Sequence, residues 1–162
     1  MAIDARKLTR YDWGVMGGGA VALVSLFLPW YGASVGPFSA TVSGWSTTYG
    51  WIGGVLLVAA AAWFTLERAK VPLPKLPVGP LSLTAAASVL GLAIVAIRWA
   101  TLPRGGISGM SFDYGGRYGI WIAIIAGVVE VASVALILRH SGEHLPKFRG
   151  WTHHPPPATP KP

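Results

Sequence analysis

From Trp13 to Leu66 the chain carries no charged residue, and that run limits the solvents in which it can fold. A soluble domain commits about 25% of its residues to charge. Here the share is 12% of 162 residues, and the mean hydropathy is +0.52. The apolar residues gather in four blocks separated by Gly, Pro and basic clusters, which is the arrangement of spanning helices rather than of one water-soluble core. The expected fold is an all-α membrane protein, a four-transmembrane-helix bundle with a short β-hairpin in the first outer loop.

The spans are predicted at about 13–31, 48–66, 81–102 and 118–138, each near the roughly 20 residues that cross about 30 Å of hydrocarbon. Residues 1–12 read as a cytoplasmic N-terminus, 13–140 as the helical domain, and 141–162, ending HHPPPATPKP, as a disordered cytoplasmic tail. The first block also has the flanks of a signal peptide, but its apolar run exceeds the about 7–15 residues of that signal, so an uncleaved helix is expected. The connector VPLPKLPVGP is denied a helix by its four prolines.

Orientation follows from the basic residues. Arg6, Lys7 and Arg10, then Arg68, Lys70 and Lys75, then Arg139, Lys147, Arg149 and Lys161 all fall on one side; the other side holds Arg104 and Arg117. Because cytoplasmic loops carry the excess of Lys and Arg, both termini are expected in the cytoplasm and the protein in the cell membrane. This distribution, with no basic stripe interleaved with aromatics, also argues against a nucleic-acid partner despite the net charge of +7.

The stretch SLFLPWYGASVGPFSATVSGWSTTYGW, 25–51, then faces outward. Pro29 ends or kinks the first helix. Trp30 and Tyr31 are expected to anchor that end at the headgroups, and Tyr49 and Trp51 to mark the return. Small and β-branched residues flank Gly36-Pro37, the pattern of a hairpin. Such a hairpin needs a packing partner. The second outer loop, RGGISGMSFDYGGR, is available, though its glycines suggest turns; the alternative is that both outer loops lie flexible on the bilayer surface. Trp45 lies mid-loop, where it either packs under the hairpin or meets a partner. The candidate outer interaction residues are Trp30, Tyr31, Trp45, Trp51, Arg98 and Asp113, with Arg98 either snorkelling to headgroups or pairing with Asp113.

The residues LPWY, the later Ser-Gly-Trp, and the Gly-rich approach GRYGIW to the last helix resemble a group of small four-helix integral membrane proteins of actinobacteria. The resemblance covers about 25–138; it implies a topology and no activity. In topology alone the layout is also similar to claudin-like proteins, whose paired loop cysteines have no counterpart in this cysteine-free chain.

Glu130 is the residue most at odds with its surroundings, since it falls near the middle of the fourth block and an intramembrane carboxylate is a functional candidate by default. It reads either as a proton or cation site or as a packing group bonded to Ser88 or Thr84 at similar depth on the third span. Arg98 lies too far outward along its helix to pair with it. Gly14/Gly18, Gly50/Gly54 and Ala87/Gly91 put small residues on one helix face, which suits packing within the bundle or against a partner or second copy. His140, His144, His153 and His154 do not form a convincing ligand set, because Gly142 and Pro155 interrupt it. No catalytic motif is present, so neither an enzyme, a cofactor nor a metal is expected. The function expected is that of a non-catalytic accessory or structural subunit that shows an aromatic outer loop to an envelope or membrane-protein partner. The alternative is a small proton- or cation-coupled transporter or channel component that uses Glu130.

Overall fold

The computed structural model describes residues 8–35, 38–47, 49–74, 79–101 and 113–141. Helix α1 (Arg10–Phe27) starts at a capping box: the Thr9 hydroxyl accepts the Asp12 amide at 3.2 Å, and the Asp12 carboxylate accepts the Thr9 amide at 2.7 Å. It ends where the sequence demands. Leu28, placed before Pro29, is pushed to extended geometry at φ −83° and ψ 158°. Its amide closes the helix on the Ser25 carbonyl. The expected span to Tyr31 is therefore corrected, because from Pro29 the chain is already strand.

Strands β1 (Pro29–Val35) and β2 (Phe38–Ser43) form the hairpin, antiparallel, followed by a 3-10 turn at Gly44–Ser46. Helix α2 (Gly50–Arg68) and helix α3 (Pro80–Ala100) come next; Pro80 sits in the first turn of α3, where its missing amide costs nothing. Strand β3 (Asp113–Gly116) leads into helix α4 (Tyr118–Ser141). β3 pairs with the free edge of β1, giving the order β2-β1-β3. The fold is thus helical with a three-stranded sheet, and the reading of the DYGG segment as turns alone is corrected. Its pairing is non-local: β1 offers an unpaired edge, and backbone hydrogen bonding there outweighs the poor strand propensity of glycine. Ser141, placed in the predicted tail, belongs to α4; the rest of that tail lies outside the described residues, as do 75–78 of the connector and 102–112 of the second loop.

Helices α2, α3 and α4 are long and apolar enough to cross a membrane. α1 has 18 residues with Arg10 and Asp12 in its first turn, which shortens its apolar run. The helices pack in a ring in which α1 touches α2 and α4, and α3 touches the same two. Small residues make the crossings. A Cβ on Gly53 would lie 2.8 Å from the Gly91 carbonyl, and one on Gly91 would lie 2.9 Å from that of Gly53, so α2 and α3 meet backbone to backbone. Gly14 and Gly18 face α4, and Gly54 faces Leu26 of α1. Each of these stripes serves the protein's own packing.

The glycine run of α1 splits three ways. Gly18 faces Glu130 and Ala126 of α4, Gly19 faces Ala61 of α2, and Gly17 has open space. Gly17→Ala is expected to stabilise the protein by about 0.5–1 kcal/mol through lost unfolded-state freedom. Gly18→Ala should instead cost about 1–3 kcal/mol, since its Cβ would fall 2.9 Å from Glu130 Cβ and 3.0 Å from the Ala126 carbonyl. Thermal unfolding in detergent of the two variants, one residue apart, reads the difference in sign.

Candidate functional site

Two interior sites and one surface emerge. The first interior site is Glu130, halfway along α4 and fully buried. Ser88 of α3, also fully buried, donates from Oγ to Glu130 Oε1 at 2.6 Å. Gly18 of α1 brings a third helix against the Glu130 Cβ. Oε2 is buried and has no partner among the described residues. Thr84, the other partner considered, bonds instead to the Pro80 carbonyl of its own helix at 3.0 Å. Two lateral grooves run nearby, one between α3 and α4 with Val89 and Val131 in its walls, the other between α1 and α4 with Gly18 and Val129; Glu130 lines neither.

The second site surrounds Trp30. The register of β1 on β2 shifts between Pro29 and Tyr31, so that Trp30 is the extra residue of a bulge. A bulge re-aims its side chain, and here the indole goes down into the end of the bundle, with none of it exposed. Its Nε1–H donates to the Ser25 carbonyl at 2.7 Å, taking up one of the acceptors left over at the end of α1. Three glycines wall the ring: a Cβ on Gly44, Gly119 or Gly50 would come within 2.7, 2.9 or 3.1 Å of it. The placement of Trp30 at the headgroups is corrected. A bilayer anchor must reach the surface, and this side chain closes the core beneath the sheet. Gly44 of the SGW run and Gly119 of the GRYG run both meet the Trp30 ring of LPW.

No protein-family model, curated protein or solved structure matches the chain.

The surface is formed by the aromatics that remain outside. Trp45 is 42% exposed and meets exposed Phe27 edge-on at 5.8 Å, so it does not pack under the hairpin. Trp51, Tyr49 and Tyr118 are exposed at the same end, and Trp99 and Trp121 form an edge pair at 5.2 Å. Tyr31 is half-buried on β1, with the Arg98 guanidinium 5.6 Å from its ring centroid. Glu130 and Arg98 are not paired; each has a different neighbour. Asp113 starts β3, and its side chain lies outside the described residues.

At the opposite end, an ion contact escaped the sequence reading. Arg68 at the end of α2 reaches buried Asp12 Oδ1 at 2.8 Å and lies over Phe64 of its own helix, joining α1 to α2. Thr9-x-x-Asp12 as a capping box, and the shared side implied by two successive helices, were the available signals. His140 stacks on Tyr11 and bonds the Leu136 carbonyl through Nδ1 at 2.6 Å. His144, His153 and His154 lie outside the described residues.

Proposed function

We propose that all four helices cross the cell membrane with both termini in the cytoplasm, and that the protein is a non-catalytic accessory or structural subunit. Its partner-facing surface is the sheet end, with Trp45 at its centre and an envelope component or another membrane protein as the partner. The observation that carries the membrane reading is an inverted distribution of polarity. Val21, Leu23, Val24 and Phe27 of α1 are exposed, as are Val89, Leu90 and Ile97 of α3 and Ile125, Val128 and Val129 of α4. Ser25, Thr84, Ser88, Glu130 and Ser133 lie inside. Water would favour the reverse, whereas hydrocarbon tolerates polar groups only where protein surrounds them. The exposed apolar face of α1 groups it with the other three helices. Trp13 and Phe27 lie about 21 Å apart along it at the helical rise, a separation suited to aromatic rims on either side of a bilayer.

An accessory role suits a Glu130 that is enclosed and bonded to Ser88. A second reading, a small proton- or cation-coupled carrier, rests on Oε2 having no partner among the described residues.

Because the chain contains no cysteine, single cysteines are clean reporters. Ser39→Cys on exposed β2 is expected to react with a membrane-impermeant maleimide on intact cells. Ser141→Cys is expected to react only after permeabilisation. Labelling of both from the same side would sink the four-span topology. In photo-crosslinking from position 39, Trp45→Ala should lower partner recovery by roughly thirtyfold, as for an aromatic hot spot worth about 2 kcal/mol, with thermal stability unchanged. Undiminished recovery would remove Trp45 from the interface.

A further inference from the structure

We infer that Arg98 is the anion-binding group of a phospholipid site at the sheet end of the bundle. There it takes the phosphate of a lipid whose glycerol and first methylenes lie along α3. The inference rests on the reading that α3 crosses a membrane, and it adds a specific ligand to that reading.

A lateral pocket of about 290 Å³ is lined by Tyr49, Ile94, Ile97, Arg98 and Thr101. Arg98 is the one cation among its described lining residues. Arg98 Nε is buried with no acceptor among the described residues. The Asp12 carboxylate, which pairs with Arg68, is at the other end of the bundle. The side chain is held from both sides: its stem passes over Gly50, and its guanidinium sits by the Tyr31 ring. A ring face offsets part of the cost of taking a guanidinium out of water, yet it supplies neither a counter-charge nor acceptors for the N–H groups. A phosphodiester supplies both, in the planar two-point geometry that the guanidinium fork matches.

The rest of the pocket selects a lipid over a free anion. A lone, partly exposed cation holds a small anion weakly in water, so the binding must draw on apolar contact. Ile94 and Ile97 provide it, and Ile97 is 62% exposed on the outward face of α3. The Thr101 hydroxyl spends its proton on the Ile97 carbonyl at 2.9 Å, so among the described lining residues Arg98 and Tyr49 are the side chains with donors to offer. Tyr49 enters α2 at φ 62°, a left-handed geometry that is strained for a bulky side chain. Tyr49 is one wall of the pocket.

The test is native mass spectrometry of the full chain in detergent, titrated with phosphatidylglycerol, with diacylglycerol of the same acyl chains, or with inorganic phosphate. One phosphatidylglycerol is expected to be retained, diacylglycerol is not, and excess inorganic phosphate does not displace the lipid. Arg98→Gln should lower retention about tenfold or more, the worth of charge-assisted hydrogen bonds to the phosphate. Arg139→Gln, at the other end of the bundle, should leave it unchanged. Equal retention by Arg98→Gln, equal loss in Arg139→Gln, or displacement by inorganic phosphate would each overturn the site. Asp113→Asn is expected to change nothing; a marked rise in retention would show that Asp113 occupies the guanidinium and would also overturn it. If Arg98→Gln does not fold, Arg98→Lys, which keeps the charge without the fork, is expected to retain less lipid than the native chain, and equal retention overturns the proposal. Loss of lipid retention in a chain that still passes the cysteine-labelling test removes the site and leaves the topology standing.

Discussion

Trp30→Ala is expected to destabilise the protein by about 3–5 kcal/mol, the range for truncating a large buried aromatic. The cavity would open where three glycines face it, and backbone cannot move in to fill the void as a flexible side chain would. The Ser25 carbonyl would also lose one of its two donors, keeping only the Leu28 amide at 3.1 Å. Trp30→Phe should recover most of the packing and none of that hydrogen bond, which makes it milder by the difference. Denaturation in mild detergent, followed through the remaining tryptophans, measures both variants. If Trp30→Ala unfolds at the native midpoint, the side chain is not the keystone of this end of the bundle.

The second large effect is expected at the pair between α3 and α4. Ser88→Ala removes the donor to Glu130 Oε1 and leaves a buried carboxyl with no partner among the described residues, a loss of about 1–3 kcal/mol. Glu130→Gln keeps an acceptor for Ser88 and should leave expression and folding intact. Combining Ser88→Ala with Glu130→Leu removes both polar groups at once, so the double variant should be more stable than Ser88→Ala alone. That non-additivity is the signature of a coupled pair. Reconstituted vesicles separate structure from transport. If Glu130→Gln folds normally and abolishes a proton-driven flux seen with the native chain, the accessory reading fails and the carrier reading takes its place.

What could be read from the sequence follows the range of the interactions involved. Helix ends set by neighbours in the chain were legible: Pro29 stopped α1, and Glu67-Arg68 and Arg139-His140 lie at the ends of α2 and α4. The hairpin was legible for the same reason, its turn signal lying between two short β-prone runs. Depth along two helices was enough to bring Ser88 and Glu130 together, because rise per residue is a reliable ruler. β3 was not legible, since the edge it completes is presented by a strand about half the chain away. Trp30 was misplaced through a rule that is sound locally. An aromatic beside a helix end usually anchors at the interface, and only the bulge, with Gly44, Gly50 and Gly119 brought from three other segments, turns this one inward. Glycines spaced so widely show no pattern until the fold gathers them.

β1 is the middle strand, and this sets an order of assembly. As the chain is synthesised, α1, the hairpin and α2 emerge first, with one edge of β1 still unsatisfied. Its second neighbour is made only after α3, so the sheet cannot close until the approach to α4 exists. Pairings this distant in sequence form late. The closing of β3 on β1 therefore works as a latch: it ties the segment that leads into α4 to the hairpin that follows α1, and a chain truncated before β3 is left with that edge of β1 open.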